Sequence, residues 1–174
     1  MSRNFDPEYL QKIWDVQQTG PVGFFKHRVV IPIKYQGYTV SFTCRSYVGS
    51  EVRYLSCPTD MEAIPHKDIL YGIDEVPSRN RGIVIEGCPD AWRFGPGSVA
   101  TFGTKLTPSQ LKLLCSFKRV VLFRDLDEAG EAAWALAAAR LRFAGSRLDI
   151  VSPDGVDDAA ELTQDEADYL MKIL

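Results

Sequence analysis

Histidine is scarce in this chain: of 174 residues, only His27 and His66 carry an imidazole. Cysteine is little more abundant, and Cys44, Cys57, Cys88 and Cys115 stand too far apart to form a C-x-x-C pair. With so few nitrogen and sulfur ligands, none at metal-binding spacing, a zinc framework is excluded and the thiols read as small apolar groups in a reducing compartment. No run reaches the roughly 18 uncharged apolar residues that a membrane helix needs, and the opening stretch MSRNFDPEYLQKIWDVQQTG is too polar for a secretory leader. Repeats and low-complexity tracts are also lacking. What remains is 45% apolar, 11% aromatic and 25% charged, the composition of an ordinary folded domain or a small module packed on a larger one. The expectation is a soluble cytoplasmic protein without a membrane partner.

The net charge of −3 gives no general attraction for polyanions, but its distribution is uneven. Between Phe24 and Arg53 stand five cations, Lys26, Arg28, Lys34, Arg45 and Arg53, against the single acid Glu51. From Asp149 to Leu174 there are eight acids and one base, Lys172. Counts alone make both stretches solvated surface.

The clearest change of character falls at Val76–Gly82 (VPSRNRG), a polar Pro- and Gly-bearing stretch that reads as a linker and divides the chain into modules 1–80 and 81–174. In the first, Asp6-Pro7-Glu8 opens a helix running to about Val16, with Tyr9, Leu10, Ile13 and Trp14 on one side. Val29–Ile33, a turn at Gln36-Gly37 and Tyr38–Arg45 then read as a hairpin, with Tyr38, Val40, Phe42 and Cys44 on its buried face and Pro32 marking an edge. The second module alternates strand and helix. Strands fall at Ile83–Ile85, Ser98–Thr101, Arg119–Phe123 and Leu148–Val151, with helices at Pro89–Phe94, after Thr107, at Glu128–Phe143 and at Thr163–Ile173. Thr107-Pro108-Ser109-Gln110 is a capping box with proline at the first helical position. The fold class is therefore α/β: a mainly parallel four-stranded sheet flanked by helices, preceded by a small, mostly β module.

In open parallel sheets, chemistry gathers at the carboxyl ends of the strands, and there the sequence places acids. Glu86 follows the first strand of the second module, with Asp90 four positions on; Asp125 and Asp127 follow the third; Asp154, Asp157 and Asp158 follow the fourth. Carboxylates brought that close repel by about 4 kcal/mol per pair at 4 Å and an effective dielectric near 20. A hard divalent cation with oxygen ligands resolves the repulsion, and two could clamp both sides of a phosphoryl transfer.

Three motifs tie this arrangement to a known family. Glu86-Gly-Cys-Pro-Asp90, Val99-Ala-Thr-Phe-Gly103-Thr104-Lys-Leu-Thr-Pro-Ser-Gln110 and Asp125-Leu-Asp127-Glu-Ala-Gly130 resemble the TOPRIM domain, and the second is similar to bacterial and phage DnaG-type DNA primases rather than topoisomerases. Upstream, Arg28–Ile33, Phe42–Arg45, Arg53–Pro58 and Lys67–Ile73 resemble the primase segment that precedes TOPRIM. The resemblance implies primer synthesis on single-stranded DNA from nucleotide triphosphates with Mg²⁺ or Mn²⁺. Glu86, Asp125 and Asp127 would be catalytic and, with Asp90 and Asp157, would line the metal cluster. Arg45, Arg53, Lys67, Gly103 and Thr104 match positions that face template or nucleotide.

The chain also departs from the family pattern. Leu126 replaces the glycine of bacterial primases, and Ala159 stands where a further aspartate is usual after Asp157, which implies a weaker third metal contact. The family's zinc module and helicase-binding region have no counterpart in this sequence. Five cations give a single-strand salt slope of only about −3.5, so a helicase or separate template-recognition module is the expected partner. The same acids could activate water, making a metal-dependent nuclease the rival reading. A non-catalytic module that binds nucleic acid or a replication partner is the third.

Overall fold

The computed structural model describes residues 4–123, 128–151 and 159–174. It divides into two compact units, Asn4–His66 and Lys67–Leu174. Among the described residues no helix is long and apolar enough to cross a membrane.

In the first unit, Asp6 caps α1 (Pro7–Trp14) by accepting the Glu8 N–H at 2.9 Å, and Pro7 opens the first turn. Leu10 and Trp14, one turn apart, form its buried stripe. The helix stops short of Val16 because Asp15 turns left-handed at φ 56° and its N–H donates to Gln11. Strands β1 (Gln17–Gln18), β2 (Arg28–Tyr35), β3 (Tyr38–Ser46) and β4 (Tyr54–Ser56) pair antiparallel in the order β1-β2-β3-β4. Gln36 and Gly37, at φ 54° and 81°, close the β2–β3 hairpin with the two left-handed residues that a tight hairpin turn requires. β1 pairs only with Val29 and Val30, so β2 is an edge at Pro32.

The expected one-sided hairpin gives way to burial on both faces. Tyr38 is 76% exposed, whereas Ser41 and Thr43 are buried. Both hydroxyls have acceptors, Glu62 Oε1 at 2.6 Å from Ser41 and the Leu55 carbonyl at 3.3 Å from Thr43, which removes most of the cost of burying them.

The second unit is built on a parallel sheet of β5 (Arg81–Ile85), β6 (Ser98–Ala100), β7 (Arg119–Phe123) and β8 (Arg147–Val151), in the order β6-β5-β7-β8. Helices α2 (Cys88–Phe94), α3 (Pro108–Leu114), α4 (Glu128–Phe143) and α5 (Gln164–Ile173) flank it. The crossovers through α3 and α4 run in the opposite direction to the one through α2, so right-handedness puts them on the opposite face. The packing agrees: α2 meets α5, and α3 meets α4. With both faces covered, Ile83, Val84, Ile85, Val120, Val121, Leu122 and Phe123 are all buried. Gly82 is required by close approach, because a Cβ there would lie 2.8 Å from the Phe117 ring.

Composition placed residues 67–80 in the amino-terminal module, but they pack within the second unit. Tyr71 and Ala100 exchange backbone hydrogen bonds of 2.9 and 3.0 Å. Ile69, Leu70 and Ile73 are buried, and the Tyr71 hydroxyl accepts from Trp92 Nε1 at 2.7 Å. The polar run at 76–82 is thus a loop, 76–80, and the first two residues of β5, all inside this unit.

Candidate functional site

β5 and β7 lie side by side, and the chain leaves them in opposite directions, toward β6 and toward β8. Such a switch point leaves a crevice at the carboxyl ends of the two strands. Glu86, the residue directly after β5, is exposed there. Gly87 is the N-cap of α2, and its N–H donates to Asp90 Oδ2 at 2.8 Å. Asp90 is half-buried, so one of its oxygens helps to fix the turn that carries Glu86.

The segment after β6 is tied to the same turn. The Gly103 N–H donates to the Glu86 carbonyl at 3.2 Å, and the Thr101 N–H to that of Ile85 at 3.1 Å. Thr101 Oγ1 donates to the Gly103 carbonyl at 2.7 Å, while Phe102 and Gly103 take φ of 59° and 131°. The Lys67 ammonium donates to the Phe102 carbonyl, and a Cβ on Gly103 would lie 3.6 Å from Lys67 Nζ. Lys67 and Thr104 are both exposed. The turn that carries Glu86 is therefore joined through Gly103 to the loop whose Phe102 carbonyl receives the ammonium of Lys67, 19 positions before Glu86 in sequence.

A buried amide holds this arrangement. Gln110 has no exposed surface; its Nε2 donates to the carbonyls of Ile69 at 3.1 Å and Thr101 at 2.9 Å, and its Oε1 accepts the Thr107 N–H at 3.0 Å. Thr107 Oγ1 donates to the Lys67 carbonyl at 2.9 Å. The capping box of α3 thus braces both the Gly103 loop and the backbone of Lys67. Sequence reasoning recognised the box but missed the bracing. The signal was glutamine rather than glutamate at its third helical position, since only the amide brings two donor hydrogens.

Asp125, Asp127 and Asp157, with Asp154 and Asp158, lie outside the described residues. Among the described residues no group of three or more His, Cys, Asp or Glu side chains is gathered to hold a metal. The donors that the structure does place, the carboxylates of Glu86 and Asp90 at one strand end, are hard oxygens of the kind Mg²⁺ or Mn²⁺ accepts.

Arg45 and Arg53 belong to the other unit. Arg45 on β3 donates to the Tyr54 hydroxyl at 3.1 Å and lies 5.4 Å from that ring's centroid; Arg53 is exposed just before β4. The local positive excess shrinks once contacts are considered. Arg28 is buried, with its guanidinium donating to the carbonyls of Val52 at 3.0 Å and Arg53 at 3.5 Å, and Lys34 pairs with Asp15 at 3.4 Å. The cysteines are free and mostly buried. Burial pushes the Cys44 thiol up to about 11 and raises that of Cys88, which suits an apolar packing role.

A family model described as Toprim-like matches residues 83–163. The chain is 31% identical over 160 residues to the DNA primase of Clostridium acetobutylicum, covering 86% of this chain and 27% of the relative. It is 33% identical over 147 residues to the DNA primase of Geobacillus stearothermophilus, covering 78% and 24% respectively. The chain thus spans about a quarter of the length of these relatives. The crystal structure of the zinc binding and RNA polymerase domains of Aquifex aeolicus primase superposes with a TM-score of 0.75 at 26% identity, covering 98% of this chain and 53% of that one.

Proposed function

We propose that this chain, whose residues 83–163 match a Toprim-like family model and whose sequence is similar to DNA primases over most of its length, takes part in metal-dependent nucleotidyl transfer on single-stranded DNA during replication in the cytoplasm. The observation that carries the reading is the junction at Gly103, where the backbone that presents Glu86 meets the loop that receives the Lys67 ammonium.

Glu86, Asp125 and Asp127 would hold Mg²⁺ or Mn²⁺, with Asp90 and Asp157 lining the site. The metal, when bound, supplies positive charge to a triphosphate and its leaving pyrophosphate. Lys67 contributes a fixed positive charge to the same phosphates. Gly103, having no side chain, lets them approach the backbone, and Thr104 offers a hydroxyl beside them. Arg45 and Arg53 would contact template phosphates. A helicase or a separate template-recognition module would add the grip that so few cations lack.

The test is primer synthesis from labelled nucleotide triphosphates on single-stranded DNA with Mg²⁺ or Mn²⁺, with and without a partner helicase. Product that disappears in Glu86→Gln and Asp125→Asn supports the reading. Equal product from these variants refutes it, as does metal-dependent degradation of the DNA without added nucleotides.

A further inference from the structure

The starts of the parallel strands, at the end of the sheet away from Glu86, are basic. Residues 78–82, 115–120, 140–149 and 170–174, which adjoin the strand starts, contain eight Lys or Arg residues and one acid, Asp149. Five of those cations have structural reasons. Arg81 donates to the Met171 carbonyl at 2.9 Å, and Arg119 binds Asp149 at 2.6 Å and the Leu174 carbonyl. Arg140 and Arg142 stand in the last turn of α4 and Lys172 in that of α5, where a cation suits the helix dipole.

No helix terminus accounts for Arg79, Lys118 and Arg147, and all three are exposed. The Lys118 N–H donates to the Arg79 carbonyl and the Arg147 N–H to the Lys118 carbonyl, both at 2.8 Å. They therefore occupy three adjacent chains of the sheet edge, spaced about 4.8 Å apart. Arg79 is steadied 4.9 Å above the Phe117 ring, and Arg147 is 72% exposed although it also reaches Asp149 at 2.8 Å. Four residues before Arg147, at the end of α4 and next to the exposed Arg142, stands Phe143, 97% exposed. Exposed cations on neighbouring segments, with an exposed aromatic ring four residues from one of them, are the combination that grips a phosphate backbone while stacking an unpaired base.

We propose that this end of the parallel sheet, centred on Arg79, Lys118, Arg147 and Phe143, binds single-stranded nucleic acid. The surface lies at the end of the sheet away from Glu86, and the proposal does not depend on the catalytic reading. Binding of a labelled oligothymidylate, followed by fluorescence anisotropy in EDTA without nucleotides, tests it apart from any chemistry. Joint replacement of Arg79, Lys118 and Arg147 by glutamine should flatten the plot of log affinity against log salt by about 2, at roughly 0.7 per phosphate contact. The charge-keeping set Arg79→Lys, Lys118→Arg and Arg147→Lys should retain the parent slope. Phe143→Ala should weaken binding about fivefold or more at unchanged slope. Should the triple variant not fold, Lys118→Gln alone should lower the slope by about 0.7. An unchanged slope in the glutamine variants overturns the proposal, and so does displacement of the oligonucleotide by polyglutamate of equal charge.

Discussion

Replacing Gln110 by glutamate keeps size and shape and changes one amide into one carboxyl. In the parent, the amide donates to the carbonyls of Ile69 and Thr101 at 3.1 and 2.9 Å, and no part of the side chain is exposed. In Gln110→Glu the Thr107 N–H keeps its acceptor, but two carbonyl oxygens face a carboxylate instead of a donor. A buried charge without a partner costs roughly 3–5 kcal/mol, a large part of the 5–15 kcal/mol that holds a domain folded. The sign of the pH dependence follows. Burial and the two carbonyls raise the introduced carboxyl's pKa in the folded state above its unfolded value. The penalty is therefore full above the folded pKa and shrinks as pH falls through it, since the protonated acid can donate to one carbonyl. Urea unfolding of parent and variant between pH 5 and 8 reads the difference directly. The reasoning predicts a deficit of about 3–5 kcal/mol at pH 8 that narrows toward pH 5. A variant as stable as the parent, or a deficit independent of pH, would refute it.

Other consequences can be checked as simply. Gly82→Ala places a Cβ 2.8 Å from the buried Phe117 ring and should cost about 1–3 kcal/mol, with Phe117→Leu recovering part of the loss in a double-mutant cycle. Burial alone would raise the Glu62 carboxyl, but hydrogen bonds from Ser41 and from the ring and backbone of His66 outweigh it and hold it below its usual value. Its contribution is thus present above the unfolded pKa and lost as pH falls through the folded one, so Glu62→Gln should lower stability at neutral pH and blunt acid unfolding, as circular dichroism can follow. Native protein should react with a thiol reagent at Cys115, the half-buried cysteine, far faster than at buried Cys44, Cys57 and Cys88, and all four should react on denaturation.

Local chemistry explains which parts of the fold were readable in advance. β5 and β7 are short apolar runs because both sheet faces are covered, and α3 announces itself by Thr107 and Gln110. Glu86 was likewise legible as a residue at a strand end. β1 and β4, of two and three residues, have no pattern of their own and exist through pairing with β2 and β3. The place of residues 67–80 depends on Tyr71 meeting Ala100, a contact between distant positions that composition cannot express. Burial of Arg28, Ser41 and Thr43 was invisible because polar residues read as surface until their partners are known. Gln110 was half legible: its role in the cap is local, whereas its bonds to Ile69 and Thr101 arise only in the folded chain.

The central claim is that Glu86, at the end of β5, shares a divalent cation with the aspartates that follow β7. Isothermal titration of Mn²⁺ into the full chain and into Glu86→Gln and Asp125→Asn tests it without a substrate. The account predicts saturable binding to the parent, weakened at least about tenfold in each variant. Affinity unaltered by either substitution, or no uptake by the parent, would contradict it.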